Sequence, residues 1–291
     1  MHRETAHGEY AAGAHWVLAL KIVGLTLLLV GLLSIDYVGM SVSMVPLQTP
    51  VQLVLVAFFD TLLLAYVVMH SRWRGWKEWG VVFCVFYGFV YLLTAMESVY
   101  LGSIFTMTMA SEILANGAIV SGVFSAALVR VLGNREGIDE TRGQRLVMPR
   151  REWTWKLVGA AAVYLIVFIV FGLAVYRPIA QALDPLALAA EQSTTASSAV
   201  LVFPVELLRG ALWALLAAPA IVALRFGWRK TALVTSFLLA VPLSGALMLG
   251  NSMTFGLQVA HFAEIFVENL VFGSLVVWIL HLRSRVPSTG V

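Results

Sequence analysis

Of the 291 residues, 60% are apolar and only 12% carry charge. A soluble domain of ordinary composition carries about twice that share of charge, so a globule of this size would be poorly solvated. Soluble enzymes, disordered regulators and nucleic-acid-binding domains are thereby excluded. A mean hydropathy of +0.89 leaves a polytopic membrane protein.

A membrane-spanning helix needs about 20 mostly apolar residues. Eight stretches meet or approach that length: 16–35, 51–70, 79–101, 112–132, 156–176, 199–224, 231–250 and 257–282. They are too long and too continuous for the alternating strands of a membrane barrel. The predicted fold class is therefore all-α, with eight transmembrane helices.

The first stretch follows a polar segment and has no small-residue cleavage site after it, so it reads as a retained helix and not a signal peptide. The second carries Asp60. The third holds Cys84, the single cysteine, which excludes an intrachain disulfide and reads as a packing residue. Glu97 stands near the outer end of that stretch, and Glu112 and Asn116 open the fourth. The segment 133–155 is polar, Gly-rich and basic. It reads as a solvated linker held near anionic lipid, dividing the chain into a first half, 1–132, and a second half, 156–291.

The outer loop 177–198 contains Pro178, Asp184 and Pro185, and a short interfacial helix is predicted around 179–190. Glu206 and Arg209 lie in the sixth stretch. Pro204 and Pro219 there, and Pro242 in the seventh, are predicted to bend their helices. The eighth carries His261, Glu264, Glu268 and Asn269. Trp73, Trp76, Trp79, Trp153, Trp155 and Trp228 cluster at one set of helix ends, as an interfacial aromatic belt does.

Lys and Arg set the orientation. With eight spans, every one of the 19 except Arg177 and Arg209 falls on the side of the two termini. That asymmetry predicts an integral membrane protein with both termini and the 133–155 linker in the cytoplasm.

The two halves share one plan. A shift of 152 places Gly75-Trp76-Lys77 on Gly227-Trp228-Arg229 and Glu112-Ile113 on Glu264-Ile265; a shift of 135 places Lys21, Val23 and Gly24 on Lys156, Val158 and Gly159. Because each half holds an even number of spans, both would enter the membrane the same way. Two parallel four-helix repeats about an axis along the membrane normal are predicted.

Ionisable groups inside a bilayer are costly and usually face a cavity or a partner. His261, Glu264 and Glu268 are spaced i, i+3, i+7 and share one helical face. The repeat sets Glu112 against Glu264 and Asn116 against Glu268. If the fourth and eighth helices meet across the axis, three carboxylates and an imidazole converge, with Glu97 above them. Such a group would bind a small polar solute or cation, or relay protons. His261, Glu264 and Glu112 would also suit a divalent metal. The competing reading is that these groups hydrogen-bond between helices and only specify packing. A second, structural charge network is predicted from Asp60, Glu206 and Arg209, with Arg209 bridging both acids near mid-depth.

The functional expectation is a membrane transporter, a cation- or proton-linked carrier with an outward-facing polar cavity lined by carboxylates. The alternatives are an intramembrane enzyme, with or without a metal, acting on a lipid or membrane-borne substrate, and a non-catalytic membrane subunit. The expected partners are membrane lipids and a small polar solute or cation, with no nucleic acid.

Overall fold

A computed structural model of the chain describes residues 3–39, 50–96, 107–133, 146, 148–195, 199–249 and 253–281. Glu97, Asn251 and most of the 133–155 linker lie outside the described residues. Among those described, the chain is helical, with one isolated antiparallel bridge between Ser71 and Leu224. Eight helices are long and apolar enough to cross a membrane, as an integral membrane protein requires.

In chain order these are α1 (Arg3–Gly39), α2 (Pro50–Met69), α3 (Trp76–Met96), α4 (Met107–Leu132), α5 (Arg150–Leu183), α7 (Ala199–Ala223), α8 (Trp228–Leu249) and α9 (Phe255–His281). The short α6 (Pro185–Thr195) lies between α5 and α7. Hydropathy marks where a stretch is apolar, whereas helical hydrogen bonding continues past that limit. Thus α5 begins at Arg150, after the extended Pro149, and not at 156. Its polar first turns are steadied by a Glu152–Lys156 ion pair of 2.8 Å.

The helix expected around 179–190 exists in two pieces. Helix α5 runs to Leu183, and the chain breaks at Asp184, where φ is −154° and ψ is 73°. Pro185, which has no N–H to offer, opens α6, and Asp184 Oδ1 accepts the Ala187 N–H at 3.1 Å as an N-cap does. Helix α7 runs through Pro204 and Pro219, and α8 through Pro242, each as a single helix.

In the first half, α1 packs on α2 and α4, α2 on α3 and α4, and α3 on α4; in the second, α5 packs on α7 and α9, α7 on α8, and α8 on α9. Between the halves, α2 packs on α8, and α3 on α7 and α8. Just past the ends of α2 and α7, the Arg72 N–H donates to Ala223 O at 2.8 Å and the Arg225 N–H to His70 O at 3.3 Å. The Arg225 guanidinium donates to Met69 O at 3.1 Å and His70 O at 3.3 Å, satisfying carbonyls that the end of α2 leaves open.

Candidate functional site

A cavity of about 270 Å³ lies among α5, α7, α8 and α9 of the second half, with α3 of the first half along one side and α6 at its rim. Most of the ionisable side chains expected to matter in the second half line it: Glu206, Arg209, His261, Glu264 and Glu268. Three more do so that the sequence reading did not select: Tyr164, Tyr176 and Glu191.

Local structure explains how these side chains come together. Helix α5 widens into a π-helical segment over Gly172–Tyr176, a local distortion often found at functional sites. Glycine at its start eases the approach: a Cβ on Gly172 would lie a tight 3.2 Å from Glu264 Oε1. At the segment's end, the Tyr176 ring stacks on His261, with centroids 4.2 Å apart and planes inclined by 24°. The Tyr176 hydroxyl donates to Glu191 on α6. The corner at Asp184 that aims α6 is itself pinned. A side-chain hydrogen bond with Thr254 and then the Ala187 N–H hold the Asp184 carboxyl below its ordinary range.

From this rim a succession of groups descends along α9. Glu191 Oε1 faces His261 Nε2 at 3.7 Å, and His261 Nδ1 meets Glu264 Oε2 at 3.1 Å. Side-chain exposure falls along the series, from 36% at Glu191 to 20% at His261 and 6% at Glu264. Partial burial pushes the Glu191 carboxyl up, but hydrogen bonds from His261 and Tyr176 outweigh it and hold the group below its ordinary value. Glu268 lies a further turn down the same face, about 6 Å along the axis, and is buried.

The inner end is a compact charged cluster. Arg209 Nη1 and Glu206 Oε1 are 3.5 Å apart, both buried. The Arg209 charge also acts on Glu268, which accepts a hydrogen bond from the Tyr164 hydroxyl. Tyr164 reaches this position because α5 and α7 approach closely at Gly210, where a Cβ would fall 2.5 Å from Tyr164 Cβ. One turn further in, aromatic rings close the cavity. Tyr164 packs edge-on against Phe272, with centroids 4.9 Å apart, and Trp213 packs against Phe89 at 5.0 Å.

Other expected members are elsewhere. Glu112 and Asn116 lie half-buried on α4, a helix that packs on α1, α2 and α3. Neither lines the cavity. Among the described residues the fourth and eighth membrane helices do not form a packed pair; each packs mainly within its own half. Glu112 therefore does not join His261 and Glu264, and no three His, Cys, Asp or Glu among the described residues are grouped to hold a metal ion.

The expected Asp60–Arg209 bridge is also corrected. Asp60 lines a separate groove beside α8 and α9, and its buried Oδ1 has no hydrogen-bond partner among the described residues. The two helices that carry these residues share α3 and α8 as neighbours, and what separates the side chains is the face each occupies, Asp60 in the groove and Arg209 in the cavity. Arg209 instead serves Glu206 and Glu268. Asn269 turns back on its own helix, donating to Ile265 O at 2.8 Å.

The missed residues had faint signals. A tyrosine deep in an apolar span, as Tyr164 is, needs a partner for its hydroxyl. Glu191 had none, since it falls just past the helix expected around 179–190 and is brought to His261 only by the turn at Asp184 that aims α6. The chain matches no family model, no curated protein and no solved structure.

Proposed function

We infer that the protein is a proton-linked carrier of a small polar solute or cation, working through the cavity of its second half. One observation carries this reading: ionisable groups follow one another along one cavity wall, from half-exposed Glu191 through His261 and Glu264 to buried Glu268. His261 has a carboxylate at each ring nitrogen, so a proton accepted on one side can leave on the other. Arg209 fixes a positive charge at the inner end. A proton arriving at Glu268 or Glu206 changes the balance there and with it the affinity for a charged cargo. The cavity volume fits a small solute and not a lipid.

The packing scheme supports the paired-repeat reading. The contacts α1–α2, α1–α4 and α3–α4 correspond to α5–α7, α5–α9 and α8–α9. The cross-contacts α2–α8 and α7–α3 exchange under the same correspondence. So do the two backbone hydrogen bonds of the Ser71–Leu224 bridge, since exchanging 70–72 with 223–225 turns one bond into the other. Two packed halves that can rock about such an axis suit alternating access. The Lys and Arg distribution supports cytoplasmic termini, which puts the mouth of the cavity on the outer side. The metal-dependent enzyme has less support, because Glu112 does not reach His261 and Glu264.

The test is proton movement in proteoliposomes holding a trapped pH dye, challenged with inorganic cations and small polar solutes added outside. The expected result is solute-dependent proton flux that Glu268→Gln and Glu264→Gln abolish, with the variants still folded. Flux no greater than in protein-free vesicles for every solute overturns the reading. The charged cluster would then be the packing network of a non-catalytic subunit.

A further inference from the structure

A second and larger opening lies on the perimeter of the bundle, away from the charged cavity. It is a groove of about 650 Å³ between α2, α8 and α9. Its outer wall includes Leu55 and Phe59, which are 50% and 53% exposed on the helix surface that lipid would cover. The groove therefore opens sideways into the bilayer. Its volume is that of an ordinary small-molecule site.

The lining is apolar and rich in aromatic faces. Phe59 and Tyr66 come from α2, Phe237 from α8, and Phe262 and Phe266 from α9. Phe262 and Phe266 stack with centroids 5.8 Å apart, presenting an ordered wall. Among the described residues, the buried polar atoms of this lining that lack partners are acceptors. Asp60 is 3% exposed, and its Oδ1 has no hydrogen-bond partner among the described residues. Gln52 Oε1, two turns nearer the outer surface, is also buried without a partner among the described residues. Ser244 already donates its hydroxyl hydrogen to Ala240 O at 2.6 Å, so it can offer the groove only lone pairs.

Buried acceptors left without donors cost free energy, and a carboxyl in hydrocarbon costs more. A ligand that meets them must bring positive charge or N–H groups on an apolar body. Aromatic faces attract the same kind of ligand, by cation–π interaction. Asp60 lies near the middle of the 20-residue α2, about 15 Å below its outer end. A phospholipid headgroup, held at the membrane surface, does not reach that depth.

We propose that the groove between α2, α8 and α9 binds a lipophilic cation that enters from the bilayer, its positive charge set against Asp60 and its apolar body against the phenylalanines. The occupant is an organic cation soluble in the membrane, such as a hydrophobic amine or onium ion. This site is distinct from the cavity of the proposed carrier and stands or falls separately from it.

The test uses the full chain in nanodiscs of zwitterionic lipid, with empty nanodiscs subtracted. Two probes of the same shape and opposite charge are compared by equilibrium dialysis: tetraphenylphosphonium and tetraphenylborate. The expected result is saturable binding of one phosphonium per chain and no saturable binding of the borate. Asp60→Asn weakens phosphonium binding at least about tenfold, equivalent to about 1.4 kcal/mol, while Glu268→Gln leaves it unchanged. Val241→Trp fills the groove from α8 with Asp60 intact and gives the same loss, which guards against a folding defect at position 60. Equal binding of both probes, equal phosphonium binding by wild type and Asp60→Asn, or no saturable binding at all overturns the proposal.

Discussion

The close approach of α5 and α7 at Gly210 sets the geometry of the inner charged cluster, and Gly210→Ala tests it. A methyl group built there lies 2.5 Å from Tyr164 Cβ, 2.9 Å from its Cγ and 3.1 Å from Ala161 Cα. Ordinary carbon–carbon contact is about 3.5–4.0 Å, so the overlap is about 1 Å. Tyr164 Cβ and Ala161 Cα are fixed to the α5 backbone, so no side-chain rotation relieves it. The helices must part. Overpacking of this kind costs up to about 3 kcal/mol, and replacing a mid-helix glycine by alanine returns about 1 kcal/mol at most. A net loss of about 2 kcal/mol remains, and the melting temperature falls by roughly 4–8 °C for a chain of this size. Gly159→Ala, on the same α5, is the control: its Cβ meets nothing within 4 Å, and only the helix-propensity gain remains. Thermal unfolding in detergent, followed by helical circular dichroism, reads both. If Gly210→Ala melts at or above the wild type, or moves in step with Gly159→Ala, the account of Tyr164 and its hydrogen bond to Glu268 is wrong.

Arg209→Ala strands Glu206 and Glu268 together and should cost about 3–5 kcal/mol in thermal or denaturant unfolding. Glu206→Ala leaves Arg209 with Glu268 and should cost clearly less, so equal losses would mean a simple local pair. Glu191 is held below its usual value of 4.5 by bonds that exist only in the fold. Its contribution is therefore present above that value and lost as pH falls through the depressed one. An environment-sensitive dye at Ala189→Cys should report α6 leaving α9 on acidification, and adding Glu191→Gln should remove that acid transition. A transition unchanged by Glu191→Gln would assign it to another group. With Cys84 replaced by Ser, Ala190→Cys should label from outside intact cells and Glu140→Cys should not; the reverse pattern would invert the topology.

The eight membrane helices are legible in the sequence because burial in lipid demands long apolar runs, and length and hydropathy are local properties. The i, i+3, i+7 spacing that puts His261, Glu264 and Glu268 on one face is legible for the same reason: helix geometry alone fixes it. What those residues meet is not local. Glu191 joins His261 because Asp184 and Pro185 break the helix and turn α6 back over α9. Tyr164 reaches Glu268 because Gly210 lets two backbones come close. The expected convergence with Glu112 failed because a matching sequence position implies an equivalent place, and equivalent places about an axis need not touch. Asp60 and Arg209 were paired by depth, since each charge needs a partner. Depth is one coordinate, and helix packing supplied the other two. It set Arg209 among acids in a cavity and Asp60 in a groove at the bundle's edge. Within one helix the sequence determines which faces are polar; only the packing of helices from distant parts of the chain decides which polar faces share a space.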